Sequence, residues 1–251
     1  MPSRTKIVTY LNDLLRVSEI EDASRNGLQV EGAAQVRRVG LAVDACLASY
    51  KKAVAGRCQM LLVHHGLIWE GIKSVSGYSG RHVKFLLSHN LNLYGAHLPL
   101  DIHPELGNNA MLFKTLELTD RKPFGLYHGI NVGLEGTLPR ARSTQDLAAA
   151  MQKRLGGKPL VLPFGKKLNR RIALCSGGGA CLLREAADKQ ADCYITGEPE
   201  HWNHHAAMEA GLNVIYLGHY WSEQLGVQEV GRQLRREFDV QTVFLDQPTI
   251  V

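Results

Sequence analysis

The chain is short of the features that equip a protein for an oxidising compartment, a membrane or a nucleic-acid groove. It has five cysteines in 251 residues, at Cys46, Cys58, Cys175, Cys181 and Cys193, with no Cys-x-x-Cys pair. That odd count in a chain of this length argues against a disulfide framework and fits a reducing environment. No apolar stretch approaches the roughly 18 residues needed to cross a bilayer. The N-terminus also lacks the basic, apolar and small-residue order of a signal peptide, so the expected location is the cytoplasm, with no membrane partner. The formal net charge is +5, yet the basic residues fall in scattered pairs such as Arg37-Arg38, Lys166-Lys167 and Arg235-Arg236. Without an arm or a tail, this charge permits nucleic acid as a partner but does not indicate it. A guanine-reading motif is missing as well. Ser176-Gly177-Gly178-Gly179 lacks the Lys-Ser/Thr ending of a P-loop, which leaves a phosphate cradle and a plain tight turn both open.

With 45% hydrophobic residues the chain can bury a full core. Ser3 is placed to cap a helix carrying Ile7, Val8, Leu11, Leu14 and Leu15 on one face. Beyond it, apolar runs at 39–43, 59–63 and 91–96 alternate with helical stretches at 46–55 and 82–89, a βαβ rhythm that implies a largely parallel sheet. A further helix is expected over 109–118, then a strand from Gly129 to Thr137 and a helix capped at Ser143. The second half repeats the first. Arg37-Arg38-Val39-Gly40-Leu41 is matched by Arg170-Arg171-Ile172-Ala173-Leu174, and Leu91-Asn92-Leu93 by Leu212-Asn213-Val214. Two matches in the same order point to a duplicated α/β unit. The expected architecture is therefore two similar three-layer α/β units, 1–124 and 125–251, with the C-terminal helix and strand able to pack back on the first.

His64-His65 closes the apolar run Met60-Leu61-Leu62-Val63, so a buried strand delivers two imidazoles at its C-terminal end. Adjacent residues on a strand point to opposite sides, and the pair is expected to serve two metals rather than chelate one. The repeat supplies partners: His97 with Asp101 in the first copy, His219 with Glu223 in the second. His219 and Glu223 share one face of a helix. Pro99 between His97 and Asp101 disfavours a helix there, so these two are expected on an extended strand exit. Four imidazoles and two carboxylates at C-terminal strand ends suit two borderline divalent ions, Zn, Fe or Mn, better than Ca or Mg. Glu198 follows a strand of the repeat and is a candidate general acid or base, although a carboxylate at a helix N-terminus explains it equally well. His201, His204 and His205 have ligand-like spacing, although a solvated helix face explains them better. Trp69 and Trp221 flank the ligand motifs and could stack on a purine, although core packing explains them better.

The segments Asn26-Gly27-Leu28-Gln29-Val30-Glu31-Gly32, His64-His65-Gly66-Leu67-Ile68-Trp69, Tyr94 to Asp101, Glu105 to Asn109, Thr196-Gly197-Glu198 and Gly218 to Glu223 resemble the GTP cyclohydrolase I type 2 homologue family, also called the Nif-three-like family. The resemblance spans nearly the whole chain, in the compact bacterial form. It implies a dinuclear metal centre between two α/β units, with His64, His65, Asp101, His219 and Glu223 as ligands and His97 beside the metals. It also implies a toroidal homohexamer. The expected function is a metal-dependent hydrolase acting on a nucleotide or phosphoester, with Glu223 and Glu198 as its catalytic carboxylates. The competing expectation is a non-enzymatic ring that binds metal or encloses nucleic acid.

Overall fold

The computed structural model describes residues 1–71 and 74–250. In chain order its elements begin with α1 (Arg4–Leu14), β1 (Gly27–Val30), β2 (Arg38–Asp44), α2 (Leu47–Ala55), β3 (Met60–His65), α3 (Gly77–Ser88), β4 (Asn92–Gly95) and α4 (Leu98–Asp101). They continue with α5 (Asn108–Thr115), β5 (Thr119–Tyr127), β6 (Ile130–Arg142), α6 (Thr144–Leu155), β7 (Leu160–Pro163), β8 (Asn169–Leu174), α7 (Leu183–Asp188), β9 (Cys193–Thr196), α8 (Asn203–Ala210), β10 (Asn213–Tyr216), α9 (His219–Phe238) and β11 (Gln241–Phe244). The chain forms two compact units, Met1–Leu106 with Gly226–Gln247, and Gly107–Leu225 with Pro248–Val251. Pro123-Phe124-Gly125 lies inside β5 of the second unit, and β11 joins the sheet of the first.

In the first unit the strand order is β1-β4-β3-β2-β11, with β1 antiparallel and the rest parallel. Both faces of this sheet are covered, which is why its strands read as continuous apolar runs. Leu41, Met60, Leu62 and Tyr94 pack with Ile7 and Leu11 of α1 and with Val227, Val230 and Leu234 of α9. The opposite side chains, Ala42, Leu61, Val63 and Leu93, pack with Tyr50 and Ala53 of α2 and Leu86 of α3. The α1 helix starts where expected, the Ser3 hydroxyl accepting from Lys6 N at 3.3 Å.

The second unit has the order β5-β6-β8-β9-β10-β7. Its parallel strands β8, β9 and β10 follow one another as β2, β3 and β4 do, and the registers correspond: Val39 lies opposite Met60, and Ile172 opposite Cys193. Asn92 and Asn213 open equivalent strands and do equivalent work. The Asn92 amide accepts from Gly32 N and donates to the carbonyls of Ala33 and Gln59. Asn213 accepts from Gly165 N and donates to Lys166 O and Asn169 Oδ1. Each buried amide ties the strand to a neighbouring turn, satisfying polar groups that burial would otherwise penalise.

Asp192 does related work ahead of β9. Its carboxylate accepts from the backbone N–H groups of Arg170 and Arg171, both at 2.9 Å, and from Lys166 Nζ at 2.6 Å. Burial alone would raise its pKa, but these donors outweigh burial and hold it below the usual carboxylate range. A depressed folded-state pKa contributes stability that is present above the unfolded value and lost as pH falls through the folded value. Asp192→Asn is expected to cost about 1–3 kcal/mol near neutral pH. In denaturant titrations the stabilities of variant and wild type should converge as the medium is acidified.

Candidate metal centre

In the first unit, His64 and His65 end β3, and Ala96 and His97 follow β4. Burial separates the pair: His64 is fully buried, while His65 is partly exposed. Their rings converge nonetheless, with centroids 4.6 Å apart, and His97 lies 5.2 Å from His64 and 5.7 Å from His65. Donor atoms of all three histidines fall within 4.8 Å of one another, an arrangement able to hold a metal ion. Asp101 Oδ2 adds an oxygen 3.4 Å from His64 Nε2.

Each of these imidazoles has an acceptor at Nδ1. The partner of His64 is the Ala96 carbonyl at 2.8 Å, that of His65 is Asp44 Oδ1 at 2.8 Å, and that of His97 is the Asp22 carboxylate at 3.0 Å. An acceptor at Nδ1 keeps the proton there and leaves the Nε2 lone pair for a metal, the pairing that usually stands behind histidine ligands. The donor set therefore fits a borderline divalent ion on its own chemistry: imidazoles held from behind at Nδ1 beside a buried carboxylate.

The Asp101 backbone corrects one expectation. Residues Leu98–Asp101 form a helical turn, α4, with Pro99 in its first positions. Proline is tolerated there because its missing N–H has no intrahelical acceptor to bond. This turn, rather than an extended exit, carries Asp101 beside His64.

In the second unit, β10 ends at Tyr216, Gly218 turns the chain at φ +91°, and α9 begins with His219. Glu223, one helical turn on, is 3% exposed and places Oε2 3.0 Å from His219 Nε2. Glu198, just beyond β9, places Oε2 3.0 Å from His219 Nδ1. Burial disfavours charge on His219, but the Glu223 and Glu198 carboxylates override it and lift its pKa to about 9. Without a metal ion, the imidazolium is the cation between two carboxylates.

The glycine-rich turn serves this unit by close approach. Gly177 sits at φ +61°, and a Cβ there would lie 1.9 Å from Glu223 Oε1 and 3.2 Å from His219 Nε2. Its N–H donates to Ser222 Oγ at 2.9 Å, and its carbonyl accepts from Gly197 N at 3.0 Å. The turn thus fixes the wall against which Glu223 rests.

Other candidates fall outside these groups. His204 and His205 lie on α8, where His204 packs edge-on against Phe164 at 5.1 Å, and His201 precedes that helix. Among the described residues, none of the three belongs to a cluster of ligating atoms. Trp221 is a packing residue, pressed so closely on Gly156 and Gly157 that a Cβ at either would lie 2.6 Å from the indole. Trp69 is 39% exposed, its Nε1 donates to Gly66 O at 2.9 Å, and its ring stands edge-on to His97 at 4.9 Å.

Four residues of the site carried no readable signal for their roles. Asp22 and Asp44 hold imidazoles, Asn26 Oδ1 accepts from His97 N at 2.7 Å, and Gln29 Oε1 accepts from Leu67 N at 2.7 Å. Gln29 also explains Gly66, where a Cβ would lie 2.1 Å from the Gln29 amide nitrogen.

Two α/β units of like strand order, each placing histidines and carboxylates beyond its strands, define a duplicated α/β protein with groups able to hold a metal ion. The chain belongs to the Duf34/NIF3 (NGG1p interacting factor 3) family, which it matches over residues 2–249. It is 43% identical over 244 residues to the GTP cyclohydrolase 1 type 2 homolog of Archaeoglobus fulgidus, covering 97% of this chain and 98% of that protein. The protein of the same name from Pyrococcus abyssi is 42% identical over 247 residues, covering 98% of each chain. Among solved structures, protein ybgI, described as of unknown function, superposes with a TM-score of 0.93 at 34% identity, covering 100% of both chains. TTHA1606 from Thermus thermophilus does so with 0.91 at 39% identity, also covering 100% of both.

Gly177→Ala is expected to cost about 1–2 kcal/mol through the left-handed backbone alone. It should also weaken metal binding, because Glu223 must move. Melting curves together with chelator competition on the same variant measure both effects.

Proposed function

We propose that the protein is a metal-dependent hydrolase of a nucleotide or phosphoester, with two divalent ions served by His64, His65, His97, Asp101, His219 and Glu223. The observation that carries this reading is the set of three imidazoles in the first unit, each with Nδ1 held by an acceptor and each with a ring nitrogen within 4.8 Å of one on the others. Ions bound by these groups supply Lewis acidity toward water and toward a substrate oxygen or nitrogen.

The chain's own residues then have distinct tasks. The Asp22 and Asp44 carboxylates and the Ala96 carbonyl hold the imidazole protons on Nδ1. Glu223, buried and in contact with His219, is the negative charge that orients the second donor set. Glu198 is more exposed and hydrogen-bonded through one oxygen to His219, a position from which a carboxylate can exchange protons with a bound substrate. Trp69 offers an exposed indole face beside His97, suited to a flat heteroaromatic ring. The relatives' name, GTP cyclohydrolase 1 type 2 homolog, points the same way. By the same family resemblance, the assembly proposed for the active protein is a homohexamer.

Metal-reconstituted protein screened against nucleotides and phosphoesters should turn over at least one of them. Glu223→Gln should lower that turnover by roughly 10²–10⁴-fold with the oligomer intact by light scattering. Trp69→Leu should raise KM for a nucleotide about 5- to 100-fold, a change that Trp69→Phe largely avoids. Failure of the metal-loaded protein across a broad panel would discard the enzyme reading. Salt-sensitive binding of DNA or RNA would then favour a nucleic-acid-enclosing ring.

A further inference from the structure

The acceptors behind the three clustered imidazoles are not equivalent. His64 leans on a backbone carbonyl, which no side-chain change can remove. His65 leans on Asp44, whose side chain is 33% exposed. His97 leans on Asp22, whose side chain is 2% exposed. The Asp22 carboxylate is also saturated. Besides His97 Nδ1, it accepts from Leu98 N at 3.0 Å, Ser24 N at 3.0 Å and Asn26 Nδ2 at 2.8 Å. Asn26 in turn accepts from the backbone N–H of His97 at 2.7 Å. One short segment, 22–26, thus grips His97 by its ring, by its own backbone and by the backbone of its neighbour Leu98.

We propose that Asp22, seconded by Asn26, is the positioning residue that aims His97 Nε2 into the centre and so sets how tightly the first unit holds its metal. A carboxylate on Nδ1 fixes the tautomer and raises the basicity of the ligating nitrogen, and loss of such a partner typically costs 10–100-fold in metal affinity. A buried carboxylate acts with little solvent screening, so Asp22 should matter more than Asp44, which makes the same type of contact near water. This role also accounts for Asn26 in a sequence motif that contains no metal ligand of its own.

The inference rests on the metal-centre reading, and one set of titrations separates the two. Full-length protein is titrated with Zn²⁺ or Co²⁺ against a competing chelator, with the Co²⁺ absorption bands recorded as a report on ligand geometry. Asp22→Asn should lose about 10- to 100-fold in affinity and shift the bands, while Asp44→Asn loses less. In a His97→Ala background Asp22→Asn should add little further loss, because its effect runs through that ring. Unchanged affinity and bands in Asp22→Asn, an equal or larger loss in Asp44→Asn, or full additivity with His97→Ala would overturn the proposal. A wild type that binds neither ion overturns the metal-centre reading itself. Should Asp22→Asn fail to fold, Asn26→Ala takes its place: weaker binding at an unchanged melting temperature supports the proposal, and wild-type affinity overturns it.

Discussion

The bond from His64 to the Ala96 carbonyl depends on strand register, and the orientation of the unit's fully buried imidazole depends on that bond. In the parallel pairing of β3 with β4, Val63 lies opposite Gly95, and Ala96 N donates to Val63 O at 2.9 Å. The same register brings the Ala96 carbonyl to His64 Nδ1 at 2.8 Å. A slip of one residue would send every side chain of β3 to the other face, exchanging His64 for His65 and the α1 layer for the α2 layer. The close-packed apolar residues of β3 oppose that slip, so the hydrophobic core is also what fixes an imidazole tautomer.

Duplication extends this logic and then breaks its symmetry. By register Leu62 corresponds to Ile195, so His65 corresponds to Glu198; Leu41 corresponds to Leu174, so Asp44 corresponds to Gly177. The first copy uses an imidazole backed by a carboxylate. At the equivalent strand end the second copy has a carboxylate, and a glycine replaces the backing acid. That glycine leaves room for Glu223 from α9, and Glu198 turns to His219. One scaffold therefore yields a nitrogen-rich set in one unit and an oxygen-rich set in the other.

The electrostatics of the second unit favour a bound cation. Glu223 is almost fully buried, and an uncompensated carboxylate there would be costly. The Glu223 and Glu198 carboxylates raise the pKa of His219 and so favour a charged imidazole between the two acids. A divalent ion offers the same compensation with more charge, provided that the proton leaves. Metal binding at His219 would for this reason be linked to proton release.

Strands that end in histidine, the acids one turn or less beyond them, and the internal repeat were all legible in the chain, because each is a local pattern of side-chain type and period. His64, His65, His97, Asp101, His219 and Glu223 could be named on that basis, and in each unit they lie at strand exits close to one another. The α4 turn was not legible, since Pro99 reads as a breaker unless its place in the first turn is known. Asp22 and Asp44 were not legible either. They act on histidines 75 and 21 residues away, and lone acids outside a periodic pattern carry no mark of their partners. Sequence by itself determined which side chains could ligate and on which strand ends they stand. Tertiary structure alone decided which nitrogen of His64, His65 and His97 faces a fixed acceptor, because a tautomer is set by a hydrogen bond whose acceptor comes from elsewhere in the fold.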